Sequence, residues 1–130
     1  MRESYYRNRE REGFLREEKR ALLVDSDERG RGRVRSLLER YPQIRVMGEA
    51  GSFEGWKKKG KFGEPDLIFF GLRGEEMGEI DREMGGVIIC VSDGERHAVK
   101  AFEIGAVDYL VEPIAEERFE KAVGRVLGGE

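Results

Sequence analysis

The residues of this chain that could do chemistry are Asp25-Ser26-Asp27, Gly71-Leu72-Arg73, Ser92, Tyr109 and Glu112-Pro113, all at or near the ends of apolar runs. A hard divalent cation needs several oxygen ligands, and Asp25, Asp27 and Glu112 are the carboxylates on offer, although three acids at loop rims are also what plain solvation produces. A second chemistry uses Arg73. A planar guanidinium reaching back to Asp25 and Asp27 would neutralise both without a metal, and the competing reading is an arginine that faces solvent. Ser92 stands three residues before Glu95, so its hydroxyl suits a helix cap as well as a polar contact. Tyr109 suits an amphipathic strand end.

The elements that must position these residues are legible as an alternation. Apolar runs at Ala21 to Asp25, Ile44 to Glu49, Leu67 to Phe70, Val87 to Val91 and Val107 to Val111 read as strands. The runs Leu67-Ile68-Phe69-Phe70 and Val87-Ile88-Ile89-Cys90-Val91 do not alternate with polar residues, which requires both faces to be covered, as in a parallel sheet flanked by helices. Between the runs, Val34, Leu37, Leu38 and Tyr41 recur at helical spacing. So do Met77, Ile80 and Met84, then Ala98, Ala101 and Phe102, then Phe119, Ala122, Val123 and Val126. A weaker helix is expected over Ser52 to Lys61, because Gly55 and Gly60 would each cost about 1 kcal/mol in a helix interior. Gly105 and Gly128 fall where a left-handed residue closes a helix. Five strands and five helices make an α/β, doubly wound parallel sheet, in which ligands collect beyond the carboxyl ends of the strands.

Length and composition bound the function. The chain has 130 residues, one domain's worth, with 39% charged residues, mean hydropathy of −0.62 and a net charge of −3. No run approaches a membrane span, no secretory segment is visible, and the single cysteine, Cys90, has no disulfide partner, so a cytoplasmic location with no membrane partner is expected. Residues 1–20 form a charged N-terminal tail richer in Arg and Lys than in Asp and Glu. They read either as a solvated tail or as an arm that packs on a partner through Phe14 and Leu15.

Over residues 21 to 127 the chain resembles response-regulator receiver domains. The resemblance is carried by Leu23-Val24-Asp25, Pro65-Asp66-Leu67-Ile68-Phe69, His97-Ala98-Val99-Lys100-Ala101-Phe102 and Gly105-Ala106-Val107-Asp108-Tyr109-Leu110-Val111-Glu112-Pro113. The last of these phrases is most similar to receivers that precede LytTR-type DNA-binding domains. The resemblance implies a receiver-like domain over 21–130 with a flavodoxin-like three-layer sandwich and strand order 2-1-3-4-5. It also implies an acidic metal-binding pair at Asp25 and Ser26, a phosphoacceptor at Gly71, a sensing hydroxyl at Ser92, a rotating aromatic at Tyr109 and a phosphate-contacting lysine at Glu112. Three of those positions have the wrong chemistry: Ser26 lacks a carboxylate, Gly71 lacks a nucleophile and Glu112 would repel phosphoryl oxygens.

The function expected on this resemblance is a degenerate pseudo-receiver in two-component signalling. It would be a non-enzymatic module without metal or cofactor that works by protein contacts or homodimerisation rather than aspartyl phosphorylation. An output domain or protein is a further partner, and the alternative is a receiver-like domain whose altered pocket senses a small molecule. By resemblance, the dimer face would include Val99, Lys100, Glu103, Asp108, Tyr109, Arg118, Ala122 and Arg125.

Other motifs are weaker. Gly55-Trp56-Lys57-Lys58-Lys59-Gly60-Lys61 has the glycine-lysine skeleton of a phosphate-binding loop, but Phe62 stands where the magnesium-binding hydroxyl belongs. The same lysines beside Trp56 and Phe62 read as a solvated helix face, and the acidic net charge argues against direct nucleic-acid binding. His97 has no metal-ligating companion, and the acids of Asp25-Ser26-Asp27-Glu28 disfavour a flavin phosphate.

Overall fold

The computed structural model describes residues 18–60, 62–74, 80 and 82–128. The charged tail falls outside the described residues except for its last three positions, as do Phe14, Leu15 and Met77. In chain order the elements are β1 (Lys19–Val24), α1 (Glu28–Leu38), β2 (Ile44–Ala50), α2 (Phe53–Lys58) and β3 (Leu67–Leu72). A 3-10 turn (Arg82–Met84), β4 (Val87–Ser92), a second 3-10 turn (Glu95–His97), α3 (Ala98–Glu103), β5 (Asp108–Val111) and α4 (Glu116–Val126) complete the chain. The five strands form one parallel sheet in the order β2-β1-β3-β4-β5, the order expected from the sequence.

Because side chains alternate across a strand, the apolar runs feed two cores at once. Ala21, Leu23, Leu67, Phe69, Ile89, Val91 and Leu110 meet Val34, Leu37 and Leu38 of α1 and Phe119, Ala122 and Val123 of α4 on one face. Phe69 stacks on Phe119 with ring centroids 5.6 Å apart. On the other face Leu22, Val24, Ile68, Phe70 and Cys90 meet Phe53 and Trp56 of α2 and Ala101 of α3. Each fully buried aliphatic or aromatic side chain contributes about 1.5–3 kcal/mol, so these two layers fix the sheet's register and with it the places where the strands stop. Burial also pushes the Cys90 thiol up to about 12, which leaves it a neutral core residue.

The helices depart from expectation in identifiable ways. The second ends at Lys58 rather than Lys61, since Gly60 takes a φ of +132° that a helix cannot contain; Ser52 caps it, its hydroxyl accepting from the Gly55 amide at 3.0 Å. The helix expected around Met77, Ile80 and Met84 is, among the described residues, only the single 3-10 turn at Arg82–Met84. In α3 only Ala101 is buried, and Phe102, expected on the inner stripe, is 84% exposed. A stripe held against the sheet needs several turns, and the six residues of α3 supply fewer than two. Gly105 and Gly128 do close their helices at positive φ. No described helix is long and apolar enough to cross a membrane.

The phosphate-loop skeleton is excluded by geometry. Gly55 to Lys58 is helical, and Trp56 is buried in the core rather than poised beside a ligand.

Candidate functional site

The parallel sheet brings the ends of β1, β3 and β5 to one edge, and that edge holds Asp25, Arg73 and Glu112. Asp25 directly follows β1 and is 5% exposed. Asp27 is the N-cap of α1, its carboxylate accepting from the Arg29 amide, while its own amide donates to Asp25 Oδ1 at 3.0 Å. Helix capping is therefore a sufficient reason for Asp27, and Ser26 between the two acids is exposed.

Arg73 extends its guanidinium over the edge as a fork with two ends. Its Nε and Nη2 donate to Asp25 Oδ1 and Oδ2 at 2.7 and 2.8 Å, and its Nη1 and Nη2 donate to Glu112 Oε1 and Oε2 at 2.7 and 2.6 Å. Asp27 stands off at 3.7 Å. The side chains of Arg73, Asp25 and Glu112 are only 13%, 6% and 22% exposed, so the pairs are weakly screened by water and salt. Hydrogen bonds from Glu112 and Asp25 together with their charges raise the pKa of Arg73 above its usual value, against the desolvation that lowers it. Arg31 adds a second arginine, donating to the Asp25 main-chain carbonyl and to Glu49.

The sequence suggested Asp25 and Asp27 as the partners of Arg73; Asp25 and Glu112 are the close ones. From the sequence, Glu112 read as the loss of a lysine or as one carboxylate of a cation site, not as a partner of Arg73. The signal for its role was an acid after β5 and an arginine after β3, strand ends on the same side of the sheet with only β4 between them, a gap that a long arginine side chain can span. Gly30 was also missed. A Cβ there would meet Arg73 Nη2 and lie 2.9 Å from Asp25 Oδ2, and a Cβ at Gly71 would meet the Asp25 carboxylate at under 3.0 Å. The available hint was a helix containing Gly30 and Gly32 with no local reason for either. The carboxylates are thus engaged by a guanidinium, and no group of three or more metal-ligating side chains is arranged for a metal ion among the described residues.

Ser92 ends β4, is fully buried, and its hydroxyl has no hydrogen-bond partner among the described residues. It does not cap a helix, which corrects the capping reading: the turn that follows takes Gly94 as its N-cap, without a side-chain hydrogen bond. The Tyr109 hydroxyl donates to the Gly94 carbonyl and its ring packs on the second core, which fixes its rotamer. Pro113 follows a cis peptide bond and is exposed beside the pocket.

The residues of the expected dimer face divide. Val99, Lys100 and Glu103 are exposed on α3 beside Phe102, and Val99 is 69% exposed. Ala122 is 1% exposed and belongs to the core, because it lies on the side of α4 that faces the sheet; it cannot touch a partner. Asp108, with a side chain only 6% exposed, is turned inward to Arg118 and Arg125, the latter at 2.8 Å, and also accepts from the Tyr109 amide. Burial acts to raise the Asp108 pKa, but the Arg118 and Tyr109 hydrogen bonds and the two arginine charges outweigh it and leave the pKa lowered. These three residues clamp α4 to β5.

No protein-family model matches the chain. It is 33% identical over 114 residues to a response regulatory protein of Vibrio cholerae, an alignment covering 82% of this chain and 48% of the relative. It is likewise 33% identical to the transcriptional regulatory protein BtsR of Escherichia coli, with 82% and 47% covered, and 29% identical to the sensory transduction protein LytT of Bacillus anthracis, with 76% and 43% covered. The chain spans about half the length of the curated relatives it matches. Among solved structures, the response regulatory domain of mrkE from Klebsiella pneumoniae superposes with a TM-score of 0.64 at 18% identity over 82% of this chain and 93% of that one. The response regulator domain of CheB from Thermotoga maritima gives the same score and identity over 87% and 98%. The chain is thus similar in sequence to response regulators, and its parallel 2-1-3-4-5 sheet superposes on the receiver domains of such proteins.

Proposed function

We propose that the chain is an atypical receiver that signals through protein contacts or homodimerisation without aspartyl phosphorylation, and that it is not an enzyme. The observation that carries this reading is the Arg73 guanidinium lodged between Asp25 and Glu112, beside a residue 71 that has no side chain. Phosphoryl transfer needs a nucleophile at the strand end and cations aimed at the transferring oxygens. Here the nearest cation is already committed to two carboxylates, and the nearest nucleophile position is glycine. Incubation with acetyl phosphate and Mg2+ should leave the intact mass unchanged. A stable phosphate adduct would sink the proposal.

The contact surface is the exposed part of the α3 and β5 side, where Val99 and Phe102 stand out of the core beside Lys100. A large aromatic at 84% exposure is the kind of group that anchors an interface. Phe102→Ser should leave the melting temperature within about 2 °C, because little is buried there, and should weaken self-association or partner capture at least about tenfold. Sedimentation showing a monomer at high concentration, together with unaltered partner capture by the variant, would remove this face from the proposal. A small-molecule input at the altered pocket would first have to displace the guanidinium, which makes it the less favoured reading.

A further inference from the structure

We infer that Gly30, Gly71 and Arg73 form one coupled unit, in which the two glycines vacate the volume that lets Arg73 lock Asp25 to Glu112, so that a side chain at either glycine and the arginine lock exclude each other. The argument is steric. A Cβ at Gly71 would fall within 3.0 Å of three atoms of the Asp25 carboxylate, and one at Gly30 would press on Arg73 Nη2 and, at 2.9 Å, on Asp25 Oδ2.

Such overlaps are cheap when the opposing atom is the free end of a flexible side chain, and here it is not. Asp25 is 5% exposed, and its two oxygens are held by Arg73 Nε, Arg73 Nη2 and the Asp27 amide. Arg73 Nη2 is in turn shared with Glu112 at 2.6 Å. Neither glycine is needed for backbone conformation: Gly30 lies inside α1 and Gly71 inside β3, and neither takes a positive φ. Space, rather than chain flexibility, is what both positions supply. Putting an aspartate back at position 71 would therefore not restore a phosphoacceptor site; it would collide with the lock. This deepens the pocket reading proposed above, and the two fail separately, since phosphate uptake tests that reading and energetic coupling tests this one.

The decisive experiment is a change of sign. Glycine to alanine inside a helix ordinarily stabilises. In the otherwise unaltered chain, Gly30→Ala should instead lower the melting temperature by about 5 °C, because the lock opposes the new methyl group. In an Arg73→Ala background the same substitution should raise it by about 3 °C.

Gly71→Ala should likewise cost about 10 °C alone and less than half of that with Arg73→Ala, where the Asp25 carboxylate is free to move away from the new methyl group. Mg2+ should raise the melting temperature of Gly71→Asp/Arg73→Ala, where the carboxylates are free of the guanidinium, and should leave Gly71→Asp unmoved. Should Arg73→Ala be poorly folded, the cycle is run in trimethylamine N-oxide, which strengthens burial without adding charge. Additive effects, or a Gly71→Asp chain that is as stable as the parent and responds to Mg2+, would overturn the inference.

Discussion

Arg73→Ala is expected to lower the free energy of unfolding by about 3–5 kcal/mol near neutral pH, the cost of leaving buried carboxylates without their partner. The guanidinium makes four hydrogen bonds of 2.6–2.8 Å to Asp25 and Glu112, and its removal strands an Asp25 side chain that is only 6% exposed. Arg73→Lys should recover less than half of the loss, because an ammonium cannot span two carboxylates with a planar fork. The sign of the linkage also sets the pH dependence on the arginine side. The folded pKa of Arg73 is raised, so its contribution is fully present below the unfolded value and is lost only at strongly alkaline pH. Urea unfolding of the parent and both variants at low and high salt is the measurement. A loss below about 1 kcal/mol would class the contact with exposed surface pairs, and the lock would not be a structural element.

Asp108→Asn is expected to cost about 2–3 kcal/mol at pH 7, since it removes charge-assisted bonds at a carboxylate that is nearly buried. The side-chain carbonyl of the substituted asparagine would still accept from the Tyr109 amide, so the loss reports on the clamp of Arg118 and Arg125 rather than on the backbone. Here the folded pKa is depressed. The stability that Asp108 contributes is therefore present above its unfolded value and is lost as pH falls through the lowered folded value. Unfolding curves for parent and variant should run apart above about pH 4 and converge in stronger acid. A gap that persists unchanged in strong acid would show that the two chains differ for a reason other than this ionisation.

How much of this was legible depends on the range of the interaction. The strand runs around Leu67 and Val87 and the helical stripes at Val34, Leu37, Leu38 and at Phe119, Ala122, Val123 are local patterns, and the sheet they describe is the one that forms. Ser92 misled because the Ser92 to Glu95 spacing is a real capping pattern, yet pairing with Leu72 and Val111 holds the serine in β4 and gives the cap to Gly94. Phe102 misled because its spacing fits an inner stripe that α3 is too short to keep against the sheet. Ala122 was assigned by resemblance to a surface, although its own periodicity with Phe119 and Val123 already placed it inside.

The sequence by itself determined the fold class, the strand ends where chemistry would collect, and the chemical character of Gly71, Ser26 and Glu112, because residue type and period are local properties. Only the tertiary structure decided what those residues do to one another. Asp25, Gly30, Gly71, Arg73 and Glu112 are scattered over most of the chain, and nothing in their spacing says that two missing side chains make room for one guanidinium. That follows from sheet order and from excluded volume, which exist only once β1, β3 and β5 lie in register with α1 packed above them.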